Sequence, residues 1–217
     1  MSYKGLPFEV EWVEFPDIAQ RMKDIGASPG KFPNGAVAYT LPVLRDPNTG
    51  AIITDSWDIT VYLDNTYPKK LVFPKGTQGL IRAFETAYFD QLWPAVKFPL
   101  VRAKEILKER NLEYYITTRE NYFNQKLEEW SPEGPERDQH WSVLEKAFNT
   151  IKLWHDKTDG RWLMGDTFSY ADILVASSLV WLKKVLHDDE WKRLVAWNDG
   201  QCGRLLADVK DECDVQE

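Results

Sequence analysis

A single change in hydrophobic periodicity limits the folds open to this chain more than any other feature. Residues 8–14 (FEVEWVE) alternate apolar and acidic side chains with a period of two, which predicts a half-buried strand. From residue 78 onward the apolar residues recur at helical spacing instead. The chain is therefore predicted to be α+β, with a small α/β domain followed by an all-helical domain. The first domain is predicted to span residues 1–67 and the second to span residues 78–217. A proline-containing linker, residues 68–77, is predicted between them.

The first domain contains further strand and helix signals after residue 14. PDIAQRMKDIG predicts a helix with Pro16 near its start and Gly26 past its end, and ASPGKFPNGA predicts a loop. The apolar stretches YTLPVLRD and AIITD are predicted strands, and the DPNTG between them has the composition of a tight hairpin turn. SWDITVYLDNTY then predicts a helix, because Ile59, Tyr62 and Leu63 share one helical face.

The second domain is predicted to contain four longer helices and one or two short ones. Pro94 and Pro99 are expected to break or bend the first of them. FSYADI opens the fourth with Ser169 at the N-cap and Asp172 at N3, so we interpret Asp172 as a folding residue rather than a catalytic one. The four longer helices are predicted over residues 78–110, 112–130, 136–157 and 169–187.

The opening residues YKGLP have the composition of a helix end: a basic residue, then glycine, then proline. A helix that crosses between strands of a mixed sheet needs a strand before it. One interpretation is that the opening strand and most of its helix are absent, which makes the first domain truncated at its start. Residues 8–14 then lose a neighbour or pair with another segment. The alternative is a disordered N-terminal stub.

Charge and composition exclude several function classes. A formal net charge of −7 disfavours binding to nucleic-acid phosphates. No apolar run reaches the length of about 18 residues that a membrane span needs, and the N-terminus lacks a secretory signal, so a cytoplasmic location is expected. The three histidines are scattered and do not pair at metal-ligand spacing, so no metal is expected. Cys202 and Cys213 lie away from any strand-to-helix turn and are not interpreted as nucleophiles.

Two short motifs in the first domain offer groups to a small molecule. In TLPV, a cis Leu41–Pro42 bond would leave the main chain of Leu41 free to pair with a peptide-like ligand, whereas a trans proline would be an ordinary strand edge. In TDSWDI, Asp55 and Ser56 stand at a helix start, where free N–H groups attract a carboxylate. Asp55 is also suited to an ammonium group, so the pair resembles an amino-acid clamp. The alternative is that one of them is only the helix N-cap.

Aromatic residues line the first long helix of the second domain. Most of them are expected in the core, and some are expected to line an apolar cleft facing the first domain, because pockets favour domain junctions. They are Phe84, Tyr88, Phe89, Trp93 and Phe98.

Taken in order, YKGLPFEVEWVEFPDI, YTLPVLRD, ITDSWDITVYLDNTYP and GDTFSYADI resemble the glutathione transferase family over essentially the whole chain. The first three stretches are most similar to the fungal, etherase-related FuA class. The spacing of LPV and DS is a fairly specific mark, whereas the helical half is less diagnostic. The resemblance implies a thioredoxin-like N-terminal domain, glutathione as co-substrate and a homodimer.

The resemblance also implies roles for individual positions. Leu41, before Pro42, matches the residue whose backbone pairs with the cysteinyl part of glutathione, and Asp55 and Ser56 match the pair that holds the γ-glutamyl end. Lys31 lies in a loop that often contacts the glycyl carboxylate, or is simply solvated. The family's thiolate-stabilising residue, typically serine in the etherase-like class, follows a first strand that we expect this chain to lack. No catalytic residue is therefore assigned, and activity is in doubt.

Three functions remain open from the sequence. The first is a glutathione transferase or glutathione-dependent ether cleaver that acts on apolar aromatic compounds. The second is a ligandin-type protein that binds hydrophobic aromatics without turnover. The third is an inactive, truncated relative of such proteins.

Overall fold

The computed structural model describes residues 1–31 and 35–213. Within them, the short strands lie in the first third of the chain and the remainder is helical, which confirms the predicted α+β class. The strands described are β1 (Gly30–Lys31), β2 (Val37–Ala38), β3 (Val43–Arg45) and β4 (Ile52–Thr54). The α-helices described are α1 (Ile18–Asp24), α2 (Ser56–Thr66), α3 (Gln78–Leu92), α4 (Lys97–Ala103), α5 (Glu109–Phe123), α6 (Pro135–His155), α7 (Tyr170–Val185), α8 (Asp188–Ala196) and α9 (Gln201–Glu212).

The β3–β4 hairpin forms where the two apolar stretches predicted it. The strands pair antiparallel, with Val43 opposite Thr54 and Arg45 opposite Ile52. At the turn, the Gly50 N–H donates to the carbonyl of Asp46 at 2.8 Å, and Gly50 adopts a φ of 75°, which glycine takes without steric cost. The hairpin leads directly into α2, as the sequence predicted.

The ASPGKFPNGA segment differs from the predicted loop. Gly30 and Lys31 pair antiparallel with Ala38 and Val37, so β1 and β2 form a second two-stranded sheet. Residues 32–34 lie outside the described residues. Two-residue strands carry too few alternating positions for a periodicity argument to detect them.

The strand predicted at residues 8–14 is wrong. This segment has no regular secondary structure, and Phe8, Val10 and Trp12 are exposed. A strand exists only where a second strand completes its hydrogen-bond ladder, and no strand in the described ranges pairs with this one. The Glu11 carboxylate instead accepts two hydrogen bonds from the guanidinium of Arg21 on α1, at 2.7 and 2.8 Å. Before it, a 3₁₀ turn (Ser2–Lys4) ends at Gly5 in the left-handed conformation.

The second domain is helical as predicted, but the helix predicted over residues 112–130 begins at Glu109 and ends at Phe123, where Asn124 takes the left-handed conformation. A 3₁₀ turn at Trp93–Ala95 contains Pro94 and separates α3 from α4. Pro99 is the third residue of α4. The N–H groups of the first four residues of a helix have no intrahelical acceptor, so proline removes no helical hydrogen bond there. None of the helices in the described part of the chain combines the length and apolar character needed to cross a bilayer.

The junction between the two halves is packed rather than open. Val72 and Phe73, in the segment that precedes α3, are buried, and the Val72 carbonyl accepts a hydrogen bond from the Tyr170 N–H at 2.8 Å. The rings of Trp57, Phe73 and Tyr170 lie with centroids 4.6–5.4 Å apart. Aromatic contacts of this kind add stability beyond the area they bury. The junction therefore holds α2, the linker segment and α7 together.

The capping box predicted at the start of α7 is present. The Ser169 N–H and hydroxyl both donate to Oδ2 of Asp172 at 2.9 Å, and Oδ1 of Asp172 accepts from the Leu163 N–H at 2.8 Å. Burial raises the pKa of Asp172 against the opposing effect of these hydrogen bonds. Its bonds within the helical domain agree with the interpretation of Asp172 as a folding residue.

Candidate functional site

The hairpin register brings the two predicted ligand motifs to the same place. Val43 lies opposite Thr54, and cross-strand neighbours are about 5 Å apart. Pro42 immediately precedes Val43, and Asp55 immediately follows Thr54. Both motifs therefore lie at the open end of the β3–β4 hairpin, at the entrance to α2. The Leu41–Pro42 bond is cis, and Leu41 is exposed.

Asp55 is the N-cap of α2. Its Oδ1 accepts a hydrogen bond from the Trp57 N–H at 2.8 Å. Its φ of 76° is a left-handed value that non-glycine residues rarely adopt, and such conformations cost about 1–3 kcal/mol. Part of the alternative interpretation is therefore correct, because Asp55 does cap the helix. Ser56 has a different role: it is the first residue of α2, and its hydroxyl is not used for capping.

The sequence analysis did not identify Tyr170, which contacts Ser56, or Glu85, which contacts Tyr170. The Tyr170 hydroxyl, at the start of α7, lies 3.3 Å from Oγ of Ser56 and 3.4 Å from Oε1 of Glu85 on α3. Burial raises the pKa of Tyr170, and the carboxylates of Glu85 and Asp55 raise it further. Tyr170 is 114 residues from Ser56 along the chain, so no local pattern signals this contact.

An ion pair continues this arrangement toward the surface. The guanidinium of Arg82 contacts Oε2 of Glu85 and lies over the Trp57 ring, 4.8 Å from its centroid. A cation over an indole face is attracted to it electrostatically. The N-terminus of α2 is thus backed by a polar chain of Ser56, Tyr170, Glu85 and Arg82 that belongs mostly to the helical domain.

Lys31, the third predicted ligand group, has only its backbone described. It lies in β1 opposite Val37, and its side chain is outside the described residues. The structure therefore does not relate its ammonium group to the end of the β3–β4 hairpin.

The aromatic residues of the first long helix divide between core and surface. Tyr88 and Phe98 are fully buried, and Phe84 packs against that core. Phe89 and Trp93 are 46% and 53% exposed. The expectation that most of these residues lie in the core holds for Phe84, Tyr88 and Phe98. Phe89 and Trp93 present aromatic surface to solvent.

Cys202 lacks the surroundings of a reactive thiol. Burial raises the pKa of Cys202 to about 12, so its thiolate is absent near neutral pH. The Cys213 thiol contacts the Val209 carbonyl at 3.2 Å. Among residues 1–31 and 35–213, no group of three or more His, Cys, Asp or Glu side chains is placed to hold a metal ion.

Together these groups suit an elongated ligand with charged ends. The edge of β3 beside Pro42 offers main-chain groups, and the start of α2 offers free N–H groups, a hydroxyl and a carboxylate. These are the kinds of group that a short peptide with a terminal carboxylate requires.

Comparison with known families and structures gives consistent matches. The model of the glutathione S-transferase N-terminal domain matches residues 1–66, and that of the C-terminal domain matches residues 79–211. The glutathione S-transferase-like protein ustS of Aspergillus flavus is 27% identical over 215 residues, which cover 93% of this chain and 76% of that protein.

Solved structures are similar over the full length of the chain. A glutathione S-transferase of Ceriporiopsis subvermispora, crystallised in complex with glutathione, is 38% identical with a TM-score of 0.91, covering 99% of this chain and 87% of that one. Glutathione transferase GSTFuA2 from Phanerochaete chrysosporium is 33% identical with a TM-score of 0.83, over the same shares of the two chains.

Proposed function

The chain belongs to the glutathione S-transferase family, with a thioredoxin-like N-terminal domain and an all-helical C-terminal domain, and we propose that it binds glutathione at the open end of the β3–β4 hairpin. In this proposal the main chain of Leu41, beside Pro42, pairs with the cysteinyl part. Asp55 and Ser56 hold the γ-glutamyl end, and Lys31 contacts the glycyl carboxylate.

One observation carries the proposal: the register that sets Val43 opposite Thr54. This register supports the proposal because Pro42 adjoins Val43 and Asp55 adjoins Thr54, so the two motifs are neighbours across the hairpin. The glutathione complex of the Ceriporiopsis subvermispora relative supports the same ligand. A different register would have turned the two motifs away from each other.

The proposed reaction is transfer of glutathione to hydrophobic aromatic or ether compounds. The glutathione sulfur attacks an electrophilic carbon, an S–C bond forms, and the bond from that carbon to its leaving group breaks. A free thiol with a pKa near 8.5 is only a few per cent thiolate at pH 7. We assign no residue of this chain to the stabilisation of that thiolate.

The test measures binding and turnover separately. Calorimetric titration with glutathione should give a saturable isotherm, and Ser56→Ala should weaken it by about 1.5–3 kcal/mol, roughly tenfold or more in Kd. Ser142→Ala is the matched control, because its exposed hydroxyl donates to the Asp138 carbonyl within α6, away from the hairpin. Unchanged affinity in Ser56→Ala would show that Ser56 does not contact the ligand.

Turnover is then measured with chlorodinitrobenzene and with an aryl ether model compound in the presence of glutathione. Conjugate formation above the uncatalysed rate supports the transferase function. Glutathione binding without product from either electrophile would remove the catalytic part of the proposal and leave the binding part.

The exposed aromatic side chains of Phe89 and Trp93 favour a second candidate, a ligandin-type protein that binds aromatic compounds without turnover. Titration with phenolic ligands should quench the tryptophan fluorescence, and Trp93→Leu should reduce the quenching. An unchanged spectrum across the ligand panel would exclude this candidate.

We propose three further properties. The first domain spans residues 1–67, the linker residues 68–77 and the second domain residues 78–217. The protein forms a homodimer. It works in the cytoplasm. Light scattering after size exclusion tests the second of these, since a homodimer has twice the mass of one chain.

A further inference from the structure

We propose that Tyr170 is a positioning residue of the glutathione site, which fixes the direction in which the Ser56 hydroxyl donates. This inference rests on the proposed function, because it concerns how Ser56 meets the ligand. It assigns to the helical domain a part in recognition that would otherwise belong only to the N-terminal domain.

The Tyr170 side chain is held in place before any ligand arrives. It is 5% exposed, and its ring meets Trp57 edge-on at 87° and lies 5.2 Å from Phe73. Its N–H donates to the Val72 carbonyl, and it directly follows the Ser169 cap at the start of α7. The ring is therefore fixed, and only the proton of the Tyr170 hydroxyl can still rotate.

That proton has two acceptors. Oγ of Ser56 lies at 3.3 Å and Oε1 of Glu85 at 3.4 Å, on opposite sides of the domain junction. The Glu85 carboxylate is ion-paired with Arg82 and can only accept. The Ser56 hydroxyl can accept or donate. The Tyr170 proton therefore points to one neighbour or to the other.

The acceptor to which Tyr170 donates decides how the Ser56 hydroxyl is oriented toward a ligand. When Tyr170 donates to Glu85, it leaves the Ser56 hydroxyl without this donor and without a fixed orientation. When Tyr170 donates to Ser56, the Ser56 proton is free to donate to a ligand carboxylate at the helix start. In the second arrangement the Ser56 hydroxyl accepts from Tyr170, and a hydroxyl that accepts a hydrogen bond becomes a stronger donor to a bound carboxylate. Tyr170 thereby orients Ser56 as a donor in the complex.

The experiment is a double-mutant cycle on glutathione affinity. Tyr170→Phe keeps the ring and its packing, and removes only the hydroxyl. We expect its Kd to rise about 3- to 10-fold, the worth of one neutral hydrogen bond. In a Ser56→Ala background the same change should have no further effect, because Tyr170 acts through Ser56. Tyr115→Phe is the matched control: it removes a part-buried hydroxyl that donates to the Leu100 carbonyl at 2.9 Å, and it should leave Kd unchanged.

The outcomes separate this inference from the proposed function. Saturable binding by the wild type, with equal Kd for Tyr170→Phe, overturns the role of Tyr170 and leaves the proposed function intact. An equal loss in the Ser56→Ala background also overturns it, since Tyr170 would then act through general packing. Absence of binding by the wild type overturns the proposed function itself, and this inference with it. Thermal unfolding of each variant confirms that the compared proteins are folded.

Discussion

Asp55 combines a structural and an electrostatic role at a single position. One of its carboxylate oxygens caps α2 through the Trp57 N–H, and its backbone takes a φ of 76° that few side chains tolerate. Aspartate and asparagine adopt a positive φ more readily than most residues and are equally good N-caps. The cap explains why a short polar residue stands here, but it does not require a charge.

Replacing Asp55 with asparagine separates these two roles. Because asparagine keeps the cap, we expect the free energy of unfolding to change by less than about 0.5 kcal/mol. Because it lacks the negative charge, glutathione affinity should fall by about 1.5–3 kcal/mol if the γ-glutamyl ammonium lies at Asp55. Urea unfolding and calorimetric titration of the same preparation provide the two values. Equal affinity in Asp55→Asn would place the ammonium elsewhere.

At the scale of elements, the β3–β4 turn is fastened to α2 by one carboxylate. Oδ2 of Asp46 accepts hydrogen bonds from the hydroxyls of Tyr62 and Tyr67 at 2.6 and 2.7 Å, and Oδ1 accepts from the Asn48 N–H at 2.9 Å. The hydrogen bonds from Tyr62, and then from Tyr67, lower the pKa of Asp46 below its ordinary value. The hairpin that carries the site is therefore held against its neighbouring helix by contacts that need an ionised Asp46.

This arrangement predicts a pH dependence of stability. A carboxyl whose pKa is lowered on folding stabilises the fold above its unfolded pKa of about 3.9, and loses that contribution as the pH falls through the folded value. Asp46→Asn should therefore be less stable than the wild type at pH 7, and the difference should shrink as the pH falls below about 4. Urea unfolding at several pH values measures it. Asp159→Asn, at an exposed loop position, serves as the control. A difference that is constant with pH would contradict the prediction.

The helices were more predictable than the strands for a physical reason. A helix satisfies its own hydrogen bonds, so α2 and the helical domain follow from local periodicity and from prolines such as Pro94. A strand depends on a partner that the local pattern does not contain. Residues 8–14 have the alternation of a strand but no partner in the described residues, whereas β3 and β4 supply each other with one across a short turn.

At the scale of the whole molecule, the site depends on contacts that join distant parts of the chain. Asp55 and Ser56 were predictable because a helix start has a local signature. Tyr170 and Glu85 were not, because their meeting with Ser56 depends on how α3 and α7 pack against α2. Sequence reasoning thus identified the half of the candidate site that one hairpin carries, and missed the half that the helical domain adds.

A buried ion pair joins the first residues of the chain to this same junction. Nζ of Lys4 lies 2.7 Å from Oδ1 of Asp64, and it also donates to the carbonyls of Tyr67, Lys69 and Lys70. The Asp64 carboxylate also accepts hydrogen bonds from the N–H groups of Val72 and Phe73, in the segment that leads to α3. The pair therefore connects the opening 3₁₀ turn, the end of α2 and the start of the helical domain.

Removing one partner of this pair should destabilise the whole protein. Lys4→Met leaves the Asp64 charge buried without its cation and three carbonyls without their donor, and breaking a buried pair in this way costs about 3–5 kcal/mol. The double variant Lys4→Met with Asp64→Asn removes both charges and should recover part of that loss. Lys152→Met is the matched control, because its pair with Asp156 on the surface of α6 is worth at most about 1 kcal/mol. Urea unfolding followed by tryptophan fluorescence measures all three variants. If Lys4→Met were no less stable than Lys152→Met, the Lys4–Asp64 pair would not be what ties the opening residues to the domain junction.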